Sequence, residues 1–171
     1  VDPQILRRKA RKLATDYAER RRLDVVTATL ERKASDYQRA IADTGLLLRF
    51  MRKSLLTQDY TTLAQDLLET TRDYGIDCHV QIRYPGSALT LTHDGVASAL
   101  EESVVARSVA MGRTFQFSRR LVINYDLVSI LVLDLPADAS SAEKVRQNLG
   151  VLAESAEVIA ETIAIDRKSV V

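Results

Sequence analysis

The chain of 171 residues has little of what several protein classes require. Tryptophan is absent, and the single cysteine, Cys78, excludes an intrachain disulfide and indicates a reducing, cytoplasmic compartment. No apolar run approaches the roughly 20 residues that cross a bilayer, and no secretory signal pattern is found, so neither a membrane protein nor a secreted one is expected. Six glycines and three prolines provide few turns, which favours long helices.

The charge is nearly balanced overall, at a net +1, but it is divided unevenly along the chain. Residues 1–53 hold 14 Lys and Arg against 7 Asp and Glu, a net charge of +7. Residues 54–171 hold 10 basic and 16 acidic side chains, a net charge of −6. We therefore expect two domains: a basic linker helix over 1–53 and a compact domain over 54–171.

The basic segment is predicted to form one uninterrupted helix. Asp2 is suited to cap it and Pro3 to take its first position, and no glycine follows until Gly45. A helix reaching Lys53 is roughly 75 Å long at 1.5 Å per residue, so part of it must project or pair with another chain. Its apolar residues recur in two runs at the spacing typical of a coiled coil: Leu6, Ala10, Leu13 and Tyr17, then Leu30, Ala34, Tyr37, Ile41 and Leu48.

The rest of the chain changes between helical and strand periodicity. A helix is predicted after the N-cap Asp59, then a hairpin over 78–92 with one solvated face. Further helices are predicted at the capping boxes Ser98–Glu101 and Ser140–Glu143. This order predicts an α+β fold, an antiparallel sheet flanked by helices. Two or three strands are predicted between the last two helices, over Thr114–Phe117, Leu121–Asn124 and Val128–Leu135.

The order of elements from Leu63 to Ile163 resembles that of a GAF domain. The string from Gly112 to Tyr125, GRTFQFSRRLVINY, is similar to the divergent GAF-like output module of bacterial response regulators. The opening residues Val1–Lys9 resemble the start of the last helix of a receiver domain. Together these resemblances imply the C-terminal part of a response regulator: the end of a receiver helix, a coiled-coil linker and a GAF-like domain.

The resemblance implies a non-enzymatic signal-transduction module of a two-component system. Such a module relays the phosphorylation state of an upstream receiver domain, which a cognate histidine kinase phosphorylates. We expect it to be a homodimer. The contacts are expected from the linker helix and from a second apolar stripe, on the final helix: Leu30, Ala34, Tyr37, Ile41 and Leu48, with Leu149, Leu152, Ala156, Ile159 and Ile163.

The alternative function is a small-molecule sensor. GAF domains bind small molecules on one face of the sheet. In this chain the densest aromatic and basic cluster is expected beside that face. The candidate pocket residues are Phe115, Phe117, Arg119, Arg120, Asn124 and Tyr125. The competing interpretation is structural: the two phenylalanines alternate as core residues and the arginines are solvated.

Residues for an enzyme, metal or cofactor site are not recognisable. Cys78 and His79 begin a predicted strand, and with the distant His93 they lack the spacing of a zinc motif. Both histidines are expected on the surface of the hairpin, without the neighbouring nucleophile that catalysis requires. No glycine-rich phosphate loop is found, and the Asn-Lys-Phe-Asp-Glu signature of nucleotide-binding GAF domains is missing. We therefore expect no catalytic residue, no metal and no cofactor.

The basic segment also raises the hypothesis that the chain binds nucleic acid. The basic residues that could contact nucleic acid are Arg20–Arg22 with Arg7, Arg8, Lys9, Arg11 and Lys12, and basic helices forking from a coiled coil are one known DNA-binding geometry. Asp16, Glu19 and Asp24 interrupt this stretch, however, so a solvated face of the linker is the preferred interpretation. Neither nucleic acid nor a membrane is expected as a partner.

Overall fold

The long helix predicted from Pro3 is present in the computed structural model, which describes residues 2–169. Helix α1 extends over Pro3–Ser54. Asp2 caps it as expected, since its Oδ1 accepts a hydrogen bond from the backbone N–H of Gln4 at 3.0 Å. The chain packs as two compact units, Val1–Ala42 and Asp43–Val171.

The first unit is a length of helix without a core of its own. All of its described residues are exposed, including Leu30 at 62% and Ile41 at 72% of their surface. Helices in proteins owe most of their stability to burial of an apolar face rather than to intrinsic propensity. The apolar stripe of this unit is therefore free to pack against something else.

The second unit contains the remaining helices and a six-stranded sheet. The helices are α2 (Tyr60–Asp73), α3 (Ala99–Ser108) and α4 (Ala139–Ser169), with a 3₁₀ turn at Val109–Met111 after α3. The strands are β1 (Cys78–Tyr84), β2 (Ser87–Thr92), β3 (Gly95–Val96), β4 (Thr114–Phe117), β5 (Arg120–Asn124) and β6 (Val128–Val132). They pair in the order β3-β2-β1-β6-β5-β4, antiparallel throughout, which confirms the predicted α+β class.

Two of the three helix caps predicted for the second unit are confirmed. The Asp59 carboxylate accepts from the backbone N–H of Thr62 at 2.8 Å, and Ser98 forms its capping box with Glu101. The capping box predicted at Ser140 is wrong. Helix α4 begins two residues earlier, at Ala139, because Asp138 caps it by accepting from both the N–H and the hydroxyl of Ser141.

The two faces of the sheet are covered by different helices. Helices α2 and α4 pack on one face, over a core that includes Leu67, Leu152 and Ile130. Helix α3 lies on the other, where a small cluster joins Val105, Val122 and Leu131. The solvated face predicted for the β1–β2 hairpin is therefore wrong. Its polar residues Gln81 and Thr90 are buried and joined by a 2.9 Å hydrogen bond.

The last turns of α1 belong to the second unit and are anchored there by polar contacts. Lys53 Nζ lies 2.7 Å from Glu69 and 2.9 Å from Asp66, and these carboxylates raise its pKa. The Asp43 carboxylate accepts from Asn148 on α4 at 2.9 Å. Phe50, between these contacts, is buried. None of the helices described over 2–169 is long and apolar enough to cross a membrane.

Replacing Asp59 with alanine should lower the free energy of unfolding by about 1 kcal/mol, because α2 loses its N-cap. The bonds from Thr62 hold the pKa of Asp59 below its ordinary value of 3.8. The stabilisation is therefore present above about pH 4 and is lost as the pH falls through that pKa. Urea unfolding can be followed by the near-ultraviolet circular dichroism of the Tyr60 and Tyr84 rings, which stack 5.0 Å apart.

The matched control is Glu154→Ala, an exposed carboxylate on α4 that caps nothing. Its effect should stay within about 0.5 kcal/mol. Equal losses for the two substitutions at pH 7, or a loss at Asp59 that does not shrink with acid, would contradict the capping role.

Candidate functional site

The six residues predicted to form a pocket do not gather in one place. Phe115, Phe117 and Arg120 line one cleft, beside α3. Asn124 and Tyr125 line a second cleft, beside the turn that follows α3. Arg119 lines neither. Its Nε donates to the carbonyl of Leu135 at 3.0 Å and lies 2.9 Å from Asp134.

The first cleft lies between α3 and the β4–β5 hairpin, and we call it the α3–β4 cleft. Its volume is about 370 Å³. The register explains its lining, since Phe115 pairs with Val122 and Phe117 with Arg120, and paired residues share a face of the sheet. The lining residues are Val104, Arg107, Ser108, Met111, Phe115, Phe117, Arg120, Val122 and Leu131.

The charge of the α3–β4 cleft is entirely positive. Among the described residues that line it, only Arg107 and Arg120 are charged. Neither guanidinium makes a hydrogen bond or an ion pair with any residue of the described range 2–169. The cleft thus combines an apolar floor with two cations that lack a protein acceptor.

The second cleft, of about 330 Å³, has little unsatisfied chemistry. Asn124 is only 5% exposed. Its amide nitrogen donates to the carbonyls of Ser108 and Gly112, both at 2.8 Å, and its Oδ1 accepts from Ser129 at 2.7 Å. The guanidinium of Arg113 covers the Tyr125 ring, 4.1 Å from its centre. Asn124 therefore binds the loop after α3 to the sheet, which is a structural role.

A buried polar network that the sequence did not reveal extends from this asparagine across the sheet. Arg83 is at its centre, donating to the Ser129 hydroxyl at 2.9 Å and to the Gln81 amide oxygen at 3.1 Å. It also donates to the carbonyls of Tyr125 at 2.5 Å and Asp126 at 3.1 Å. Burial lowers the pKa of Arg83. All of these acceptors are neutral oxygens of the protein. The network therefore fills this part of the sheet face with polar groups that hydrogen-bond to one another.

The stripe predicted on the final helix is divided by the structure. Ile159 is partly buried and packs on the core. Four other residues are buried within the chain itself, against α2 and the sheet: Leu149, Leu152, Ala156 and Ile163. We therefore correct their assignment as contacts with a second chain. Their helical spacing is accounted for by the core, because a buried helix face and a dimer face give the same pattern.

The stripe of α1 remains exposed, from Leu30 through Ala34, Tyr37 and Ile41 to Leu48.

Cys78 and His79 begin strand β1, as predicted. Cys78 is completely buried at the start of β1, and burial raises the pKa of its thiol to about 12. His93 Nε2 lies 3.5 Å from Asp77, too long for a strong hydrogen bond. The expectation that both histidines are surface residues is wrong, since His79 is half-buried and His93 only 16% exposed. Among residues 2–169 no group of three His, Cys, Asp or Glu is arranged to hold a metal ion.

Comparisons of the chain with protein-family models, with curated proteins and with solved structures found no match.

Replacing Asn124 with alanine should lower the free energy of unfolding by about 2–3 kcal/mol. The substitution removes three hydrogen bonds and takes the amide donor away from the carbonyls of Ser108, which is buried, and Gly112. Phe117→Ala is the matched control from the same predicted pocket: Phe117 is 69% exposed and should cost less than about 0.5 kcal/mol. Urea unfolding of both variants checks the difference. A loss at Asn124 no larger than at Phe117 would contradict the structural role.

Proposed function

We propose that the chain is a non-enzymatic signal-transduction module that dimerises through α1. The observation that carries this proposal is the exposed apolar stripe of the first unit, which has no core of its own. An exposed apolar face of this length is costly in water, and a second copy of the same helix covers it without further components.

The heptad arithmetic of α1 supports a continuous coiled coil. Residues 6, 13, 34, 41 and 48 differ by multiples of seven, so they share one heptad position, and each is apolar. A coiled-coil seam needs a second apolar position in each heptad, and this second position changes along the helix. It lies four residues after the shared position in the first run, at Ala10 and Tyr17, and four residues before it in the second, at Leu30 and Tyr37. The two runs therefore share one side of the seam while the other side changes.

The change of this second position coincides with a weak point. Arg20 and Thr27 occupy the shared heptad position between the two runs. Polar residues at such positions fix register at a cost in stability, and two arginines facing each other across a dimer repel. A seam that is weak in the middle has two competing ways to pair, which is the two-state element that signal relay requires.

We propose that this element relays the phosphorylation state of a receiver domain. The support is the resemblance of Val1–Lys9 to the last receiver helix, together with the continuous helix that leads from there into the second unit. In this proposal the second unit is a divergent GAF-like output module. The partners are an upstream receiver and its histidine kinase in the cytoplasm of a bacterium. The antiparallel sheet of six strands and the placement of α2 and α4 on one of its faces support a GAF-like module.

The alternative function, a small-molecule sensor, has less support. Its six predicted residues separate between two clefts and an ion pair, and Asn124 is occupied by protein contacts. The sheet face that carries the Arg83 network is already filled by polar groups that satisfy one another.

Replacing Leu30 with aspartate should weaken dimerisation at least about tenfold, because each chain then places a charge in the seam instead of a buried leucine. Val25→Asp is the matched control. Val25 is equally exposed, at 61%, but it lies on the opposite side of α1 from Leu30. Sedimentation equilibrium at micromolar concentration measures both variants. A monomeric wild type, or equal weakening by the two substitutions, would refute pairing through this stripe.

The relay has its own test, in a chain that carries the proposed receiver. Spin labels at Tyr37 of the two copies report the distance across the seam. Phosphorylation of the receiver should change that distance distribution, and Leu30→Asp should abolish the change. A distribution that phosphorylation leaves unaltered in a stable dimer would reject the relay while leaving the dimer intact.

A further inference from the structure

We propose that the free edge of β4, with the α3–β4 cleft beside it, binds an acidic extended peptide as an additional strand. This inference is independent of dimerisation through α1. It depends on three observations: an unpaired strand edge, an apolar surface next to it, and a local excess of positive charge without protein acceptors.

Strand β4 is the last strand of the sheet, and no strand within residues 2–169 pairs with its outer side. All four of its residues are exposed. The carbonyl of Arg113 accepts from the N–H of Asn124 at 2.7 Å, which fixes the hydrogen-bonding parity of this hairpin. By alternation, the backbone groups of Phe115 and Phe117 also face β5, whereas those of Thr114 and Gln116 face outward. An added strand would find two donors and two acceptors there.

The side chains of β4 supply an apolar surface on the α3 side. Phe115 is 36% and Phe117 69% exposed, and Met111 lies beside them in the lining of the α3–β4 cleft. A strand paired to β4 directs every second side chain toward this side. Apolar residues at those positions would cover the phenylalanines and the mouth of the cleft.

The positive charge of this region favours a negatively charged partner. Residues 103–125 include four arginines and no Asp or Glu, inside a domain that is otherwise acidic. Arg119 is already paired with Asp134, whereas Arg107 and Arg120 have no acceptor at the cleft. A second copy of this chain would bring the same arginines together and repel itself. An acidic segment is complementary.

A peptide fits these observations better than a lipid surface or a nucleic acid. The outward N–H and C=O groups of Thr114 and Gln116 require partners spaced as in a strand, and only another polypeptide backbone supplies both kinds at that spacing. Phe117 and the arginines by themselves would also suit an anionic membrane. The edge of β4 is therefore the feature to test first.

The test measures fluorescence anisotropy of the whole chain with a labelled synthetic peptide in which glutamate alternates with valine and phenylalanine. The wild-type chain should bind it, and the same peptide with lysine for glutamate should bind at least tenfold more weakly. The double variant Arg107→Glu, Arg120→Glu should lose at least tenfold in affinity. Arg72→Glu, which reverses an exposed arginine on α2, is the matched control and should leave binding unchanged.

The backbone contribution is tested by Gln116→Pro, which removes an outward N–H that β5 does not use. It should weaken binding at least tenfold, whereas Gln116→Ala, which removes only the side chain, should bind as the wild type does. Circular dichroism shows whether the proline variant is folded. If it is not, the same peptide with N-methylated amides replaces it as the test of strand pairing and should not bind.

Several results would overturn the proposal. They are no binding of the acidic peptide, equal binding of the lysine peptide, or full binding by the double arginine variant. Undiminished binding by folded Gln116→Pro would also overturn it, since no strand pairing would be involved. So would arginine-dependent binding to phosphatidylglycerol vesicles that the acidic peptide does not compete away, because the surface would then serve a membrane.

Discussion

The pairing of β1 with β6 at the centre of the sheet is the constraint on which the second unit depends. All five residues of β6 are buried, so both faces of the sheet must be covered at this point. Helices α2 and α4 cover one face with apolar side chains. The other face receives α3 and the network around Arg83, whose bonds to Ser129 and Gln81 join these central strands. A half-buried cation is tolerable here because its guanidinium donates to neutral oxygens.

The sequence predicted the elements where local signals and long-range packing agree. The N-cap at Asp59 and the apolar run from Val128 needed no tertiary information, because a side-chain cap and a buried central strand each leave a local mark. The predicted start of α4 was wrong because Asp138 and Ser140 are both residues that cap helices well. Their local sequence does not show which of them forms the cap. The solvated face predicted for the β1–β2 hairpin was wrong because polar residues alternate in the same way whether they contact water or a buried hydrogen-bond network.

The candidate site was less predictable than the fold. The aromatic and basic cluster was found, but strand register decides which members share a face, and register is a long-range property. Register places Phe115, Phe117 and Arg120 together and directs Asn124 to the loop after α3. Arg107, which completes the cleft from a helix, has no sequence signal that links it to β4. The burial of Leu149 and Leu152 shows the same limit, since spacing reveals an apolar face but not what covers it.

The two exposed apolar surfaces of this chain differ in the charges beside them, and that difference indicates what each one binds. Both signs flank the stripe of α1, with Glu31 and Asp36 among Arg32, Lys33 and Arg39. Mixed charge suits a symmetric contact, in which a patch must be complementary to itself. The charged residues that line the α3–β4 cleft are arginines alone, so a symmetric contact there would oppose like charges. Exposed apolar area favours binding at both surfaces. The pattern of charge determines the partner: the stripe of α1 is complementary to a second copy of itself, and the surface beside β4 is complementary to an acidic partner.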